Sequence, residues 1–235
     1  MTAAEILEEL RPLGRESYKK ILINHGASEP IFGVKIEDLK KFQKRIKKNY
    51  QLALDLFDTG VFDAMYLAGL VADDRRMTPA DLSRWVERAN SPTLSEYTVP
   101  WVAAEGLHGP EMARAWIDSP KESVATSGWA TLSSLVALED DSKLDLAELS
   151  RLLERVEAEI HTQANRVRYG MNGFVIAVGC YVPALTELAL ETAARIGQVT
   201  VEMGGTACKV PFAPQYIEKV RQRGTLGKKR KTVKC

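Results

Sequence analysis

Apolar residues recur at three- and four-residue steps along almost the whole of this chain. That period leaves the α-helix as the one regular element the chain can build in quantity. In "AAEILEELRPLG" the stripe is Ile6, Leu7 and Leu10. In "KIEDLKKFQKRIKKNYQLALDLF" it is Ile36, Leu39, Phe42, Ile46, Leu52, Leu54 and Phe57, with lysines and Arg45 on the other faces. "FDAMYLAGLVAD" is apolar nearly all round, as an internal helix must be. "MTPADLSRWVERAN" carries a start signal, with Thr78 as N-cap, Pro79 at the first helical position and Asp81 in the first turn. "GPEMARAWIDSP" repeats that logic with Pro110 and Glu111. "DSKLDLAELSRLLERVEAEIH" buries Leu146, Leu149, Leu152, Leu153 and Val156, and "VPALTELALETAARIGQV" closes at Gly197.

Strand signals are confined to "QVTVEM", Gln198 to Met203, which alternates briefly, has no partner segment and reads as an extended connection. About a dozen helices joined by short links predict an all-α chain, a solenoid-like stack of antiparallel helix pairs, with a compact irregular bundle as the alternative. No internal boundary stands out, so the expectation is one helical domain over 1–222 followed by a basic tail over 223–235.

A net charge of +1 conceals a strong asymmetry. From Lys219 onward there are eight basic residues and no acid, residues 1–48 carry a net +4, and the middle carries −11. Basic ends against an acidic centre point to a polyanion held by particular faces, with solvated helix faces as the plain alternative. Cys180, Cys208 and Cys235 are few and widely spaced, which suggests a reducing cytoplasm and gives no metal-ligand spacing. No apolar run is long enough to span a bilayer. A cytoplasmic monomer without metal, cofactor or membrane contact is expected.

Two stretches are candidates for holding a polyanion. In "GVKIEDLKKFQKRIKKNY", Lys35, Lys40, Lys41, Lys44, Arg45, Lys47 and Lys48 crowd about four turns, and each lysine placed on a phosphate would release a condensed counterion. Lys228, Lys229, Arg230 and Lys231 form a second cluster in the tail. "NRVRYGMNGF" adds Arg166 and Arg168, which project about 160° apart on a helix. Beside them Asn165, Tyr169 and Asn172 make a polar face that a core helix does not need. The plain reading makes Asn165 an N-cap and pairs the arginines with surface carboxylates. Trp85 and Trp116 fall in amphipathic stripes and belong to the core. The small residues around Trp129 in "SGWATLSS" permit close helix approach. No phosphate loop, HExxH or nucleophile elbow is present, and His25, His108 and His161 sit beside helix ends or glycines. The stretch "LSEYTVPW" sets Glu96, Tyr97 and Trp101 around Pro100, a residue that disrupts a helix interior.

The order of these segments resembles a known family. "FGVKIEDLKKFQKRI", "LALDLFDTGVFDAMYLAGLVADD", "DLSRWVERANSPTLSEYTVPW", "ARAWIDSPKESVATSGWATLSSL" and "RVRYGMNGFVIAVG" together resemble the bacterial DNA alkylation repair family with HEAT-like repeats, the AlkD-like glycosylases, over most of residues 15 to 200. The resemblance implies a right-handed superhelix of antiparallel helix pairs whose concave face holds duplex DNA. It also implies release of alkylated bases such as 3-methyladenine and 7-methylguanine.

At the catalytic positions the chain departs from that pattern. Where the family's enzymes carry a "WWDxxD"-like stretch, this chain reads "PTLSEYT". The tryptophan place falls at Thr93, the aspartate place at Tyr97 or Glu96, a later arginine near Thr126 and a later tryptophan near Gly173 or Phe174. An oxocarbenium-like state needs a carboxylate and aromatic faces, which Glu96, Tyr97 and Trp101 could supply as a replacement set. The plain alternative puts Pro100 in a first turn, with "LSEYTV" a linker and Trp101 simply buried. The resemblance therefore supports a protein that binds nucleic acid with its usual catalytic residues replaced. The alternatives are an active glycosylase using Glu96, or a solenoid that binds protein. Whether DNA, RNA or a branched structure is bound stays open.

Overall fold

A computed structural model describes residues 1–234; Cys235 lies outside the described residues. These residues form thirteen α-helices and no strand, so the all-helical reading holds among the described residues. They group into two compact units.

The first unit comprises residues 1–108, 203–207 and Lys234. Its helices are α1 (Ala3–Leu10), α2 (Glu16–Asn24), α3 (Ile36–Ile46), α4 (Tyr50–Asp58), α5 (Phe62–Val71), α6 (Pro79–Arg88) and α7 (Val99–Glu105). Caps set several starts. Thr2 and Glu5 close a capping box on α1, Asn49 accepts the Leu52 N–H at 3.1 Å on α4, and Thr78 with Asp81 closes a second box on α6. α5 is buried along its entire length, as its uniform apolarity requires. Phe57 and Trp85 stack at 4.1 Å to tie α4 to α6.

The buried carboxylate of Asp63 accepts the Phe32 N–H at 2.6 Å and the Val34 N–H at 2.7 Å, fixing the extended segment before α3 against α5. Burial pushes this carboxyl above its ordinary value, while the backbone donors pull the other way. The long stripe from Ile36 to Phe57 is not one helix. It breaks at Lys47 and restarts at the Asn49 cap, because a positive φ at Lys47 turns the chain.

The second unit comprises 109–202 and 208–233. Its helices are α8 (Gly109–Ile117), α9 (Glu122–Leu138), α10 (Leu146–Glu159), α11 (Asn165–Tyr181), α12 (Thr186–Ile196) and α13 (Ala213–Gln222). Close approach among them is set by glycine. A Cβ on Gly128 would sit 2.6 Å from the Ile117 nitrogen, and one on Gly170 would sit 3.1 Å from the Trp129 Cβ. Trp129 and Phe174 then meet at 5.4 Å. Leu149, Leu152, Leu153 and Val156 bury the stripe of α10, whereas Leu146 is exposed as the first residue after the Asp145 cap.

Residues of the basic stretch beyond 222 are hydrogen-bonded onto this unit. The Arg230 N–H donates to the Ala137 carbonyl and the Lys229 ammonium to the Val136 carbonyl, both at 2.8 Å. They thereby satisfy carbonyls at the C-terminus of α9. Lys229 also pairs with Asp141 at 2.8 Å. Cys180 is buried, which pushes its thiol up to about 11, and Cys208 is exposed.

Candidate nucleic-acid interface

The turn holding Glu96 is a single π-helical turn, Leu94–Thr98, that runs directly into α7. Its physical reason is Pro100. In a continuous α-helix the ring of Pro100 would press on the Glu96 carbonyl and leave it without a donor. Widening the turn before the proline removes that conflict. The chain therefore keeps helical direction through the stretch, and Tyr97 and Trp101 come within 6.1 Å of each other. Tyr66 meets Trp101 edge-on at 5.7 Å. Of the three expected catalytic side chains, Glu96 and Trp101 are buried, at 8% and 4% exposure, and Tyr97 is open at 41%. Thr93 precedes the π turn, half-buried; Thr126 and Phe174 are buried, and open space lies beside Gly173.

The basic residues of α3 divide by what they touch. Lys41 reaches Asp38 at 2.7 Å and holds that carboxyl below the usual range. Arg45 pairs with Glu9 at 2.8 Å and lies over the Phe42 ring at 4.8 Å. Lys35 approaches Glu37 at 3.5 Å, and Lys40 is half-buried. Lys44, Lys47 and Lys48 are exposed at the C-terminal end, where the macrodipole favours cations. Lys48 reaches Asp74 at 3.1 Å.

Beside Asp74 stand two exposed arginines outside the basic runs of the sequence: Arg75, and Arg76, whose guanidinium lies 4.6 Å over the Tyr50 ring. In "VADDRRM" the acids and bases cancel, so the sequence shows no basic run there. Burial of Asp74 leaves the arginines outside, and nothing in the sequence marks that burial.

In the second unit, Asn165 is not an N-cap. It is the first residue of α11, and its side chain receives the Glu202 N–H at 2.6 Å and donates to the Glu202 carbonyl at 2.8 Å. Asn172, two turns on and on the same face, donates to the Pro211 carbonyl at 3.0 Å. The polar face of α11 thus grips both ends of the 202–211 connection. Arg166 lies 4.9 Å over the Tyr169 ring, and its N–H donates to Glu122 at 2.7 Å. Arg168 donates to Asn165 at 3.2 Å, and its buried Nε carries no partner. In the tail, Lys228, Arg230 and Lys231 present their side chains to solvent, while Lys229 is half-buried at the end of α9.

An all-helical chain with cationic clusters in both units, folded from this order of segments, defines a repeat protein of the DNA alkylation repair class. The model of the DNA alkylation repair enzyme family matches residues 6–208, and the chain belongs to that family. One solved structure aligns over all of both chains with a TM-score of 0.92 and 36% identity. It is described as a new family of proteins related to the HEAT-like repeat DNA glycosylases with affinity for branched DNA structures. The fold is accordingly HEAT-like. Among curated relatives, the uncharacterized protein Lmo0209 of Listeria monocytogenes and the uncharacterized protein Lin0241 of Listeria innocua are each 34% identical, covering 95% of this chain and 99% of their own. No single helix among the described residues is long and apolar enough to cross a membrane.

Proposed function

We propose that this protein binds branched DNA through its backbone phosphates and does not excise bases. The observation that carries the second half is the burial of Glu96 and Trp101. A carboxylate that stabilises an oxocarbenium-like sugar must face the substrate, and an aromatic wall must offer its ring. Tyr97 alone of the three is open, and an exposed ring of that kind suits stacking on an unpaired base. Where the resemblance places a later tryptophan, near Gly173 or Phe174, the glycine has no ring and the Phe174 ring is buried.

The first half draws on the affinity for branched DNA of the protein in that solved structure, on 36% identity over the full chain, and on the cations at Lys44, Lys47, Lys48, Arg75, Lys228, Arg230 and Lys231. Methylated duplex DNA incubated with wild type and with Glu96→Gln tests the claim. Both should release 3-methyladenine and 7-methylguanine at the background rate. Release by wild type that Glu96→Gln abolishes would establish the glycosylase reading instead.

A further inference from the structure

Lys47 occupies a backbone conformation that costs a lysine more than it would cost a glycine. It ends α3 at φ 61° and ψ −145°, and it is the one non-glycine residue with positive φ among the described residues. α12 ends in the same geometry, at φ 69° and ψ −147°, and there the chain uses Gly197. This region of backbone space is nearly exclusive to glycine, and strain of this kind gathers at functional positions. The same corner has a second unusual feature. Asp74 is buried, yet two lysines serve its one carboxylate: Lys48 on Oδ2 at 3.1 Å and Lys234 on Oδ1 at 2.5 Å. A buried charge needs a partner, but one cation neutralises it. The side chain of Lys234 is 9% exposed and is built into the site, whereas that of Lys48 is 61% exposed. The Asn49 N–H bonds the Val71 carbonyl at 2.8 Å, which ties this corner to the end of α5 just before Asp74 and Arg75.

Resting on the nucleic-acid reading above, we propose that the α3–α4 corner is a site for a backbone phosphodiester. Lys47 and Lys48 make the contacts, and Lys234, by neutralising Asp74, keeps Lys48 available. Lys234 is a positioning residue: it does not touch the phosphate. Without it, Asp74 would claim Lys48 as its sole counterion, and the corner would lose a contact although residue 234 never met the DNA. Each lysine on a phosphate contributes about one unit to the slope of log affinity against log salt, so the arrangement is readable in that slope.

The test is fluorescence anisotropy of a labelled four-way DNA junction across a salt series with the full chain. Lys48→Ala and Lys47→Gly should each lower the slope by about one unit. Lys234→Met should lower it equally, and Lys48→Ala combined with Lys234→Met should fall no further than Lys48→Ala alone. Asp74→Asn added to Lys234→Met should restore the wild-type slope, and Lys234→Arg should keep it. Thermal melts accompany each variant. Should the Asp74→Asn combination fail to fold, the contrast between Lys234→Arg and Lys234→Met still decides. A wild-type slope in Lys234→Met, or additive losses in the double variant, overturns the coupling. An unchanged slope in Lys48→Ala removes the site itself. A wild-type protein whose junction binding ignores salt would instead defeat the function on which the site depends.

Discussion

The proposed phosphate site and the stability of the fold make opposite demands on Lys47. Lys47 holds a glycine conformation, so Lys47→Gly should raise stability by about 1 kcal/mol while weakening junction binding. A denaturant midpoint that rises as affinity falls is the expected pair of results. Asp63 is the opposite case, a residue that serves the fold. Its two oxygens accept two backbone N–H groups, and Asp63→Asn would turn an amide donor against one of them, costing about 1–3 kcal/mol in the same measurement. The acid limb of stability should depend on Glu148, whose hydrogen bonds to the Arg114 guanidinium, at 2.5 and 2.6 Å, hold its carboxyl below the usual range. A depressed folded-state value gives stability that is complete above the unfolded value, about 4.3, and is lost as pH falls through the folded one. Glu148→Gln should therefore flatten the fall of melting temperature below about pH 5.

Such residues differed in how legible they were. The Thr78 cap could be read directly because N-cap chemistry is local. Lys47 could not, because a lysine in a basic run looks the same at any φ. Asp74 was equally opaque, because its burial and its pairing with Lys234 are set by residues 160 positions apart in the chain.

Among elements, period alone marked most helices, including the fully buried α5 and the capped α6. It failed where the break lay in backbone geometry. The turn at Lys47 interrupts a stripe that continues in sequence through α3 and α4, because one positive-φ residue redirects the chain without disturbing apolar spacing. The π turn at Leu94–Thr98 was visible only as a question about Pro100. Its setting against α5 depends on Gly69, where an added Cβ would overlap the Thr98 methyl. Gly69→Ala should therefore destabilise by about 1–3 kcal/mol, and Thr98→Ser in the same chain should recover much of the loss in thermal melts. The polar face of α11 is visible in the sequence, and in the fold it holds the 202–211 connection through Asn165 and Asn172. Its partners could not be read, since a loop's position relative to a helix is not a periodic property.

For the molecule as a whole, the near-zero net charge gives no general attraction to a polyanion, so the proposed phosphate contacts rest on cations gathered locally by the fold. Several of those expected to bind are partly engaged within the protein: Lys41 with Asp38, Arg45 with Glu9, and Lys229 with Asp141. Of these, the Arg45–Glu9 pair is exposed on both sides, and an exposed pair is weak and can exchange its carboxylate for a phosphate. The family and the helical fold were legible from segment order, whereas the burial of Glu96 and Trp101 was not, because no spacing rule supplies it.

The central claim is branched-DNA binding by phosphate contact, and competition measures it most directly. A labelled four-way junction bound to the protein is challenged with unlabelled junction or with linear duplex of equal nucleotide content, at fixed salt. Unlabelled junction should displace the label at a concentration at least tenfold below that needed with duplex, about 1.4 kcal/mol of preference. Equal displacement by the two competitors would contradict the account.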